Sequence, residues 1–335
     1  MINNKSILIT GGTGSFGQRF TEICFKKYNP KKIIIYSRDE LKQYEMQRKL
    51  PEKIKRKTRF FIGDIRDLER LKLAMQDVDY VIHSAALKQV PTAEYNPFEV
   101  VKTNVIGGQN VIDAALENNV KKVIALSTDK AAAPINLYGA TKLTSDKIFI
   151  AANNFKGKKD ISFSVVRYGN VMGSRGSVLP LFFNQSKNNL FTITDKFMTR
   201  FNITLEHGVR FVLESLNEMV GGELFVPKLP SYTILDLAKA VNLKAKIKII
   251  GIRPGEKIHE ELITASDSNY TLEFKDKYII LPSFEFFDNK FAAQKYKKYY
   301  KKGKKCKIGF TYNSKNNGDF LNLKQIKKLI FNQKY

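Results

Sequence analysis

Tyr138 and Lys142 stand four residues apart, and this pair suggests a definite chemistry. Residues at this spacing lie on one face of a helix. The lysine ammonium can lower the pKa of the tyrosine and bind the ribose of a nicotinamide cofactor, so that the phenolate accepts a proton as hydride leaves the same carbon. The spacing alone is common on solvated helix faces, so its place in the chain must support this interpretation.

The segment Ser127-Thr128-Asp129-Lys130 precedes this helix, at the end of a predicted strand. Parallel α/β sheets bind ligands at the carboxyl ends of their strands, where the Thr128 hydroxyl would face a substrate. An oxidoreductase or an epimerase needs only that hydroxyl. A dehydratase also needs an acid to expel a hydroxyl and a base to remove a neighbouring carbon-bound proton, and Asp129 and Lys130 would supply both. The alternative is a surface ion pair in a loop.

A glycine-rich turn follows the first predicted strand and opens a helix. Glycine there allows a tight turn, close approach of the backbone to a pyrophosphate, and packing of the helix on the sheet. The helix N-terminus adds unpaired N–H groups that favour an anion. We therefore predict a dinucleotide site that includes Gly11, Thr13, Gly14, Ser15, Phe16 and Gly17.

The residues after the second predicted strand indicate which dinucleotide binds. An acidic residue about 20 positions beyond the glycine turn accepts the ribose hydroxyls of NAD. Ser37 and Arg38 stand at that place, with Lys42 one helical turn later, and they suit a 2′-phosphate. Asp39 could serve NAD, but it also suits the N-cap of the helix that begins at Glu40. We predict NADP rather than NAD.

Two more strand ends complete the predicted cofactor site. Asp64 and Ile65 follow the third strand and would flank the adenine. Ala85, Ala86 and Lys88 follow the fourth strand and would line the pyrophosphate and ribose. The carboxyl ends of parallel strands meet at one edge of a sheet, so these segments should converge.

Strands and helices alternate through the first half of the chain, which predicts βαβ units and an α/β fold. The expected architecture is a Rossmann-type doubly wound parallel sheet, and the uninterrupted apolar run Ile33-Ile34-Ile35 indicates helices on both faces. The predicted strands are Ile7–Thr10, Ile33–Tyr36, Arg59–Ile62, Tyr80–Ser84, Val123–Thr128 and Phe163–Tyr168, and the predicted helices are Asp39–Leu50, Asp67–Met75, Pro97–Glu117 and Tyr138–Ala152.

The alternation becomes irregular after about residue 170, where glycines and Pro180 mark loops. We predict an NADP-binding domain over residues 1–170 and a smaller, mainly substrate-binding domain over 171–335, with about 200–230 returning to the first. Beyond residue 170 the patterns predict strands at Leu224–Val226 and Ile247–Ile250 and a helix at Ile234–Val241.

The net charge of +25 and the Lys- and Tyr-rich run from Lys295 to Lys307 are features of nucleic-acid-binding proteins. Lysine is scattered through the whole chain, however, which indicates a solvated surface. We therefore expect no nucleic-acid partner, although a positive field would attract an anionic substrate.

Several other classes of protein are not expected from the composition. No apolar run approaches the roughly 20 residues of a membrane helix, and the N-terminus lacks the pattern of a secretory signal. We therefore expect a soluble, cytoplasmic protein without a membrane partner. Cys24 and Cys306 lie far apart, and the three histidines have no metal-ligand spacing, so we expect neither a disulfide nor a metal.

Six stretches, spread over roughly residues 5–280, together resemble the inverting UDP-N-acetylglucosamine 4,6-dehydratases of pseudaminic acid biosynthesis. That family belongs to the extended short-chain dehydrogenase/reductases. The stretches are Gly11-Gly12-Thr13-Gly14-Ser15-Phe16-Gly17, Tyr36-Ser37-Arg38-Asp39-Glu40, Ser127-Thr128-Asp129-Lys130, Tyr138-Gly139-Ala140-Thr141-Lys142, Arg167-Tyr168-Gly169-Asn170-Val171 and Arg253-Pro254-Gly255-Glu256-Lys257.

The resemblance implies a three-step reaction in one site. NADP+ takes hydride from C4 of the sugar with Tyr138 as base, water is eliminated across C5 and C6, and the hydride returns to C6. The residues that match Asp129 and Lys130 act in the elimination and in the reprotonation of C5 from the opposite face. The implied product is UDP-2-acetamido-2,6-dideoxy-4-keto-L-arabino-hexose, which has an inverted C5 and feeds flagellin or polysaccharide glycosylation.

The resemblance also implies a UDP-sugar site and a homo-oligomer. Arginines suit a pyrophosphate because the guanidinium group binds it with two parallel hydrogen bonds. The residues expected to hold the substrate are Lys88, Asn170, Arg175, Arg200, Arg253 and Glu256.

Three alternatives remain open at this stage. A dehydratase that retains C5 shares much of the motif set, although such chains are often longer and membrane-anchored. A UDP-sugar 4-epimerase rotates a 4-keto intermediate and does not need Asp129 and Lys130. A non-catalytic NADP-binding protein of the same fold often lacks the Tyr-x-x-x-Lys pair, which is intact here.

Overall fold

The structure is a computed structural model, and it describes residues 2–173, 177–283 and 289–331. Its strands are β1 Ser6–Thr10, β2 Lys32–Ser37, β3 Thr58–Ile62, β4 Tyr80–His83, β5 Lys122–Thr128, β6 Ser162–Tyr168, β7 Leu190–Ile193, β8 Thr199–Phe201, β9 Leu224–Pro227, β10 Ser231–Thr233, β11 Lys246–Ile249, β12 Glu261–Ile263, β13 Thr271–Glu273, β14 Lys277–Ile280, β15 Lys304–Lys305 and β16 Tyr312–Asn313.

The helices begin where capping residues or glycine turns allow, for example at Asp39 and Asp67, whose side chains accept backbone N–H groups of α2 and α4. They are α1 Ser15–Lys27, α2 Glu40–Lys49, α3 Glu52–Lys55, α4 Leu68–Ala74, α5 Val90–Tyr95, α6 Pro97–Val101, α7 Gly107–Glu117, α8 Leu137–Phe155, α9 Val178–Ser186, α10 Leu205–Glu218, α11 Ile234–Val241, α12 Asn289–Lys302 and α13 Leu323–Phe331.

The main sheet has the strand order β15-β13-β14-β9-β6-β5-β4-β1-β2-β3. All seven strands from β9 to β3 pair in parallel, with the direction of winding reversing between β1 and β4. Every residue of β1 and β4 is buried, which requires cover on both faces of the sheet. The predicted α/β fold with a doubly wound parallel sheet is confirmed.

Three antiparallel strands extend this sheet beyond β9, and the sequence did not predict them. Strands β13 and β14 are joined by a connection too short for a parallel crossover, so they can only form a hairpin. The sheet is therefore mixed, with residues near the C-terminus forming one edge.

The predicted strands in the first half of the chain agree with the observed ones within one residue at each end, and the helix Ile234–Val241 is observed with the same bounds. The predicted helix Pro97–Glu117 is instead two α-helices separated by a π-helical turn at Lys102–Ile106. The buried Asn104 in that turn bonds both backbone groups of Leu87, at 2.9 Å each, and a buried polar side chain interrupts the expected helical pattern.

Two large clusters of buried apolar side chains lie in the described residues. One surrounds the main sheet and includes α10, whose Val209, Val212 and Leu216 are buried. The other joins α9, β7, α11 and α13, with Phe182, Leu237 and Ile326 fully buried. We keep as a proposal the predicted division near residue 170, with residues 200–230 returning to the first domain. Residues between Leu262 and Tyr312 also belong to the first cluster, which the sequence did not predict.

Candidate active site

A cavity of about 1180 Å³ opens at the carboxyl ends of the parallel strands and extends to the second apolar cluster. It exceeds the roughly 300–1000 Å³ of a typical ligand pocket, so a dinucleotide and a second ligand can both fit. The predicted site residues that line it are Gly11, Thr13, Gly14, Ser15, Phe16, Ser37, Arg38, Lys42, Asp64, Ile65, Ala85, Ala86, Lys88, Thr128, Asp129, Lys130, Tyr138, Lys142, Asn170, Arg200, Arg253 and Glu256.

Of the predicted site residues that the structure describes, Gly17 is not part of this lining. Gly17 instead packs the first helix on the glycine turn, since a Cβ there would lie 2.3 Å from the Gly12 carbonyl oxygen. Arg175 lies outside the described residues.

The glycine turn fits a dinucleotide phosphate. Gly11 has a φ of +66°, and a Cβ on it would lie 3.0 Å from the Ala85 Cα, so only glycine brings these two segments together. Gly14 is the N-cap of α1 and makes no side-chain capping bond, which leaves the backbone N–H groups of the first turn to an anion.

The segment after β2 meets the turn through a hydrogen bond of 2.8 Å between the Thr13 and Ser37 hydroxyls. Asp39 is the N-cap of α2, as predicted: it accepts the Lys42 N–H at 2.9 Å and also pairs with the Lys42 ammonium. The Arg38 guanidinium is about half exposed at the cavity rim, 3.5 Å from Asp64. Asp39, the acidic residue of this segment, is thus bonded to its own helix, whereas the Arg38 guanidinium borders the cavity.

The catalytic candidates after β5 lie on a tight 3₁₀ turn, Asp129–Ala131. Thr128 caps this turn, and its hydroxyl donates to Asp129 Oδ1 at 2.8 Å. Asp129 is buried to 1% exposure, so the hydroxyl and the turn orient a carboxyl group that water hardly reaches. Ala133, just beyond the turn, has a φ of 45°, a strained value for alanine that is typical of functional sites.

Lys130 lies between two carboxylates. Its Nζ is 3.1 Å from Asp129 Oδ1 and 3.1 Å from Glu260 Oε1. Glu260 is 2% exposed, and the Arg200 Nε lies 3.6 Å from the same oxygen. Glu260 was not predicted from the sequence, because it comes 130 residues after Lys130 and its only local signal is its nearness to the Arg253–Lys257 motif.

These contacts shift the protonation of the cluster. Burial raises the pKa of Asp129, and the nearby Glu260 carboxylate raises it further. Burial would lower the pKa of Lys130, but the carboxylates of Asp129 and Glu260 outweigh it and raise that pKa. Asp129 is therefore suited to hold and donate a proton, and Lys130 carries its proton beside it.

Tyr138 and Lys142 lie in the first turns of α8, and both are buried. Burial raises the pKa of Tyr138 to about 12, against which the Lys130 charge and a hydrogen bond with Thr128 favour the phenolate. The Lys142 Nζ donates to the Leu126 carbonyl oxygen at 2.7 Å, which fixes it under the end of β5. Burial lowers the pKa of Lys142.

The Arg253–Lys257 segment is tied to the catalytic turn by two hydrogen bonds. Asn136, which caps α8, donates to the Gly255 carbonyl oxygen at 2.8 Å, and Lys257 Nζ donates to the Ala132 carbonyl oxygen at 2.6 Å. Arg200, nearly buried, lies 3.5 Å from Glu256. The Arg253–Lys257 segment, which is predicted to bind the substrate, is therefore bonded directly to residues that follow the catalytic turn.

Several buried oxygens in this region have no hydrogen-bond partner among the residues that the structure describes. They are Asp129 Oδ2, Asn170 Oδ1, Glu256 Oε2 and Glu260 Oε2. Buried acceptors are normally satisfied, so these oxygens leave polar groups near the catalytic turn that the described residues do not satisfy.

Within the described ranges, no group of three or more His, Cys, Asp or Glu side chains is placed to hold a metal ion. No helix there is long and apolar enough to cross a membrane.

A search against protein families matches residues 7–282 to the family described as polysaccharide biosynthesis protein. The chain is 55% identical to a UDP-N-acetylglucosamine 4,6-dehydratase (inverting) of Campylobacter jejuni, over 98% of each chain. It is 44% identical to a protein of Rickettsia bellii named UDP-glucose 4-epimerase, over 100% of this chain and 98% of that one.

Among solved structures, the X-ray structure of Pen from Bacillus thuringiensis superposes with a TM-score of 0.88 at 39% identity and covers 99% of both chains. The fold, the length and the sequence thus agree with the same group of proteins. The chain therefore belongs to the polysaccharide biosynthesis protein family, among the inverting UDP-N-acetylglucosamine 4,6-dehydratases.

Proposed function

We infer that this protein is a hydro-lyase that converts UDP-N-acetylglucosamine to the 4-keto-6-deoxy sugar nucleotide with C5 inverted. The observation that carries this inference is that the buried Asp129 and Tyr138 and the partly buried Lys130 line one cavity with the glycine turn. A hydroxyl elimination needs a proton donor and a proton acceptor next to a hydride-transfer site, and this cluster has the groups for both. The relative from Campylobacter jejuni carries this activity in its name.

The cofactor supplies a hydride acceptor for C4 of the sugar, and later a hydride donor for C6. The residues that would hold it are the glycine turn, Ser37, Arg38 and the segments after β3 and β4. Lys142, whose Nζ donates to the Leu126 carbonyl oxygen, would bind its ribose. Tyr138 would accept the proton of the C4 hydroxyl, since Lys130 and Thr128 favour its phenolate.

Asp129 would donate the proton that lets the C6 hydroxyl leave as water, because burial and the Glu260 carboxylate raise the pKa of its carboxyl group. Lys130, once its proton has passed to Asp129, would accept the proton of C5, whose acidity rises once C4 is a ketone, and would later return a proton to C5. Asn170, Arg200, Arg253 and Glu256 would hold the UDP group, with Lys88 between substrate and cofactor. Arg175, outside the described residues, remains a proposed contact of the pyrophosphate.

NADP is the proposed form of the dinucleotide. Asp39, the acidic residue that could accept ribose hydroxyls, is engaged with the N–H and the ammonium of Lys42. Arg38 borders the cavity with a half-exposed guanidinium that a 2′-phosphate can pair with. We also propose that the protein is a homo-oligomer, as the resemblance implies.

Proton NMR of the purified protein with UDP-N-acetylglucosamine in heavy water tests the reaction. We expect a new C6 methyl signal, deuterium at C5 and the couplings of an inverted ring. A methyl signal with unchanged C5 configuration would show a retaining dehydratase instead. No change in the sugar would contradict the proposed substrate.

A 4-epimerase is the second candidate, since the similar Rickettsia bellii protein is named as one. Epimerisation at C4 needs hydride transfer and rotation of the keto sugar, but it does not need the Asp129–Lys130 pair. The same spectra separate the two reactions, because an epimerase would produce the C4 epimer without any methyl signal.

A further inference from the structure

Glu260 reaches the catalytic turn from a distant part of the chain. It directly precedes β12, and its backbone is bonded to Ser314 in both directions, N–H to Oγ at 2.9 Å and carbonyl oxygen to N–H at 2.8 Å. Ser314 is fully buried beside β16, so this anchor does not depend on the turn that carries Lys130. Glu260 therefore occupies a fixed position next to that turn.

The two carboxylates around Lys130 are not equivalent. Asp129 is the neighbouring residue and moves with the same turn, so it cannot by itself determine where a flexible lysine side chain points. Glu260 belongs to another element, and its Oε1 lies 3.1 Å from the Lys130 Nζ. Holding the ammonium from two sides fixes its position and its charge.

A purely structural role for Glu260 would be to neutralise Arg200, whose Nε is 3.6 Å from Oε1. The ammonium of Lys130 is closer to that oxygen, at 3.1 Å. Glu260 also lines the cavity, and its Oε2 is buried without a hydrogen-bond partner among the described residues. Burying such an oxygen is unfavourable unless a ligand satisfies it. These features favour a role in the reaction.

We propose that Glu260 is a positioning residue for the dehydration: together with Asp129 it holds the Lys130 ammonium at the reacting C5–C6 edge of the sugar. This proposal rests on the proposed function. Its consequence is that the Lys130 nitrogen lies at a defined place beside C5, so that C5 is reprotonated from one face only. The charged or titratable groups that act on this cluster are Asp129, Glu260, Tyr138, Arg200, Lys88 and Lys257.

Glu260→Gln keeps the shape of the side chain and removes its charge. We expect kcat for methyl formation and the rate of deuterium uptake at C5 to fall about a hundredfold, with KM changed by less than about threefold. The matched control is Glu261→Gln, which alters the neighbouring residue on the opposite side of the strand and should stay within about threefold of the wild type. Glu260→Asp keeps the charge and should recover part of the lost rate.

Equal losses in Glu260→Gln and Glu261→Gln, or C5 exchange in Glu260→Gln close to that of the wild type, would overturn the proposal. A fall that came only from unfolding would appear in the thermal melting curve. In that case Glu260→Asp, which keeps the negative charge, distinguishes loss of folding from loss of positioning. If Glu260 positions Lys130, the aspartate variant should be more active than the glutamine variant when both are assayed below their melting temperatures.

A second measurement does not depend on the reaction. The pH titration of the Lys130 side chain can be followed by carbon NMR with labelled lysine, and assigned with Lys130→Arg. Removing a carboxylate at this distance should lower the midpoint by about 1 pH unit or more in Glu260→Gln. An unchanged midpoint would overturn the proposal. Failure of the wild type to act on UDP-N-acetylglucosamine would instead contradict the proposed function and leave this result to stand.

Discussion

Asp129, Lys130 and Tyr138 all hold their protons more tightly than they would in water. Burial raises the pKa of Asp129 and Tyr138, and two carboxylates raise the pKa of Lys130 against the effect of its burial. Each group can act as an acceptor only after it has lost a proton to a partner. The chemistry of this site thus depends on which neighbour each residue has, and much less on the intrinsic basicity of its side chain.

Tyr138→Phe removes the hydroxyl that would take the C4 proton and leaves the ring that packs beside Val100 and Ala93. We expect the rate of methyl formation to fall about 10² to 10⁴-fold, as is typical of losing a general base. The thermal melting temperature and the affinity for UDP should change little, since the apolar contacts remain. Activity within tenfold of the wild type would contradict the assignment of Tyr138 as base.

His83 is a buried histidine at the end of β4, and it makes stability depend on pH. Its Nδ1 is 2.9 Å from the Thr10 hydroxyl, and its ring stacks on Phe149. Burial lowers its pKa to about 3, with Lys142 contributing in the same direction. The unfolded chain, with a pKa near 6.5, therefore binds a proton that the folded protein excludes.

The contribution of the neutral His83 to the free energy of unfolding should accordingly be fully present above about pH 6.5. It should decrease as the pH is lowered from there toward 3. The slope from this one group is about 1.4 kcal/mol per pH unit. Urea unfolding at pH 7, 6 and 5 should show that His83→Asn, although less stable at pH 7, has a shallower dependence by about this slope. Parallel curves for the two proteins would mean that His83 does not remain neutral in the folded state.

At the scale of elements, we propose that the turn from β2 into α2 determines which dinucleotide binds. It places Arg38 at the cavity rim and uses Asp39 as a helix cap. Arg38→Ala should weaken NADP+ binding about 10 to 100-fold, the usual value of charge-assisted hydrogen bonds to a phosphate, and leave NAD+ binding within about threefold. Calorimetric titration of both nucleotides, after removal of any that copurify, measures this.

The control for this prediction is Arg66→Ala. Arg66 pairs with Asp64 and Glu99 close by, and its side chain is only about one-third exposed. Arg66→Ala should change the affinities for NADP+ and NAD+ by a similar factor. If Arg38→Ala weakened NADP+ and NAD+ equally, the guanidinium would not be recognising a 2′-phosphate.

Helix α12 accounts for part of the Lys- and Tyr-rich composition of this region. Its part of the Lys- and Tyr-rich run from Lys295 to Lys307 has the pattern of an amphipathic helix. Tyr296 and Tyr299 are buried, and the Tyr299 hydroxyl is 2.8 Å from the buried Glu223 carboxylate. These two tyrosines are core residues that hold the helix on the sheet.

At the scale of the whole molecule, residues near the C-terminus pack against elements that lie much earlier in the sequence. Helix α13 contacts α11, and Ile326 is fully buried in the second apolar cluster, several of whose members line the cavity. Ile326→Ala should lower the free energy of unfolding by about 2 to 5 kcal/mol. It should also raise KM for the sugar nucleotide, because this cluster supports the substrate side.

Urea unfolding and steady-state kinetics test this. Lys327→Ala, on the exposed face of the same helix, should change stability by less than about 0.5 kcal/mol. If Ile326→Ala behaved like Lys327→Ala, α13 would not be part of the cooperative structure.

The sequence alone was sufficient for several features that depend on neighbouring residues. The glycine turn, the six predicted strands, the Asp39 cap and the pairing of Tyr138 with Lys142 on one helix all follow from local spacing, because backbone geometry relates residues a few positions apart. The resemblance added the reaction, which its motifs carried over residue by residue.

Only the tertiary structure decided which distant segments meet. Glu260 beside Lys130, Asn104 on Leu87, Ser314 on Glu260 and the antiparallel edge of the sheet join residues that no local spacing relates. Such contacts are set by the packing of whole elements, which minimises exposed apolar surface and satisfies buried polar groups over the entire chain. The groups that shift the pKa values of Asp129 and Lys130 include residues of those distant segments. The local motifs therefore identified the two residues but did not indicate their protonation.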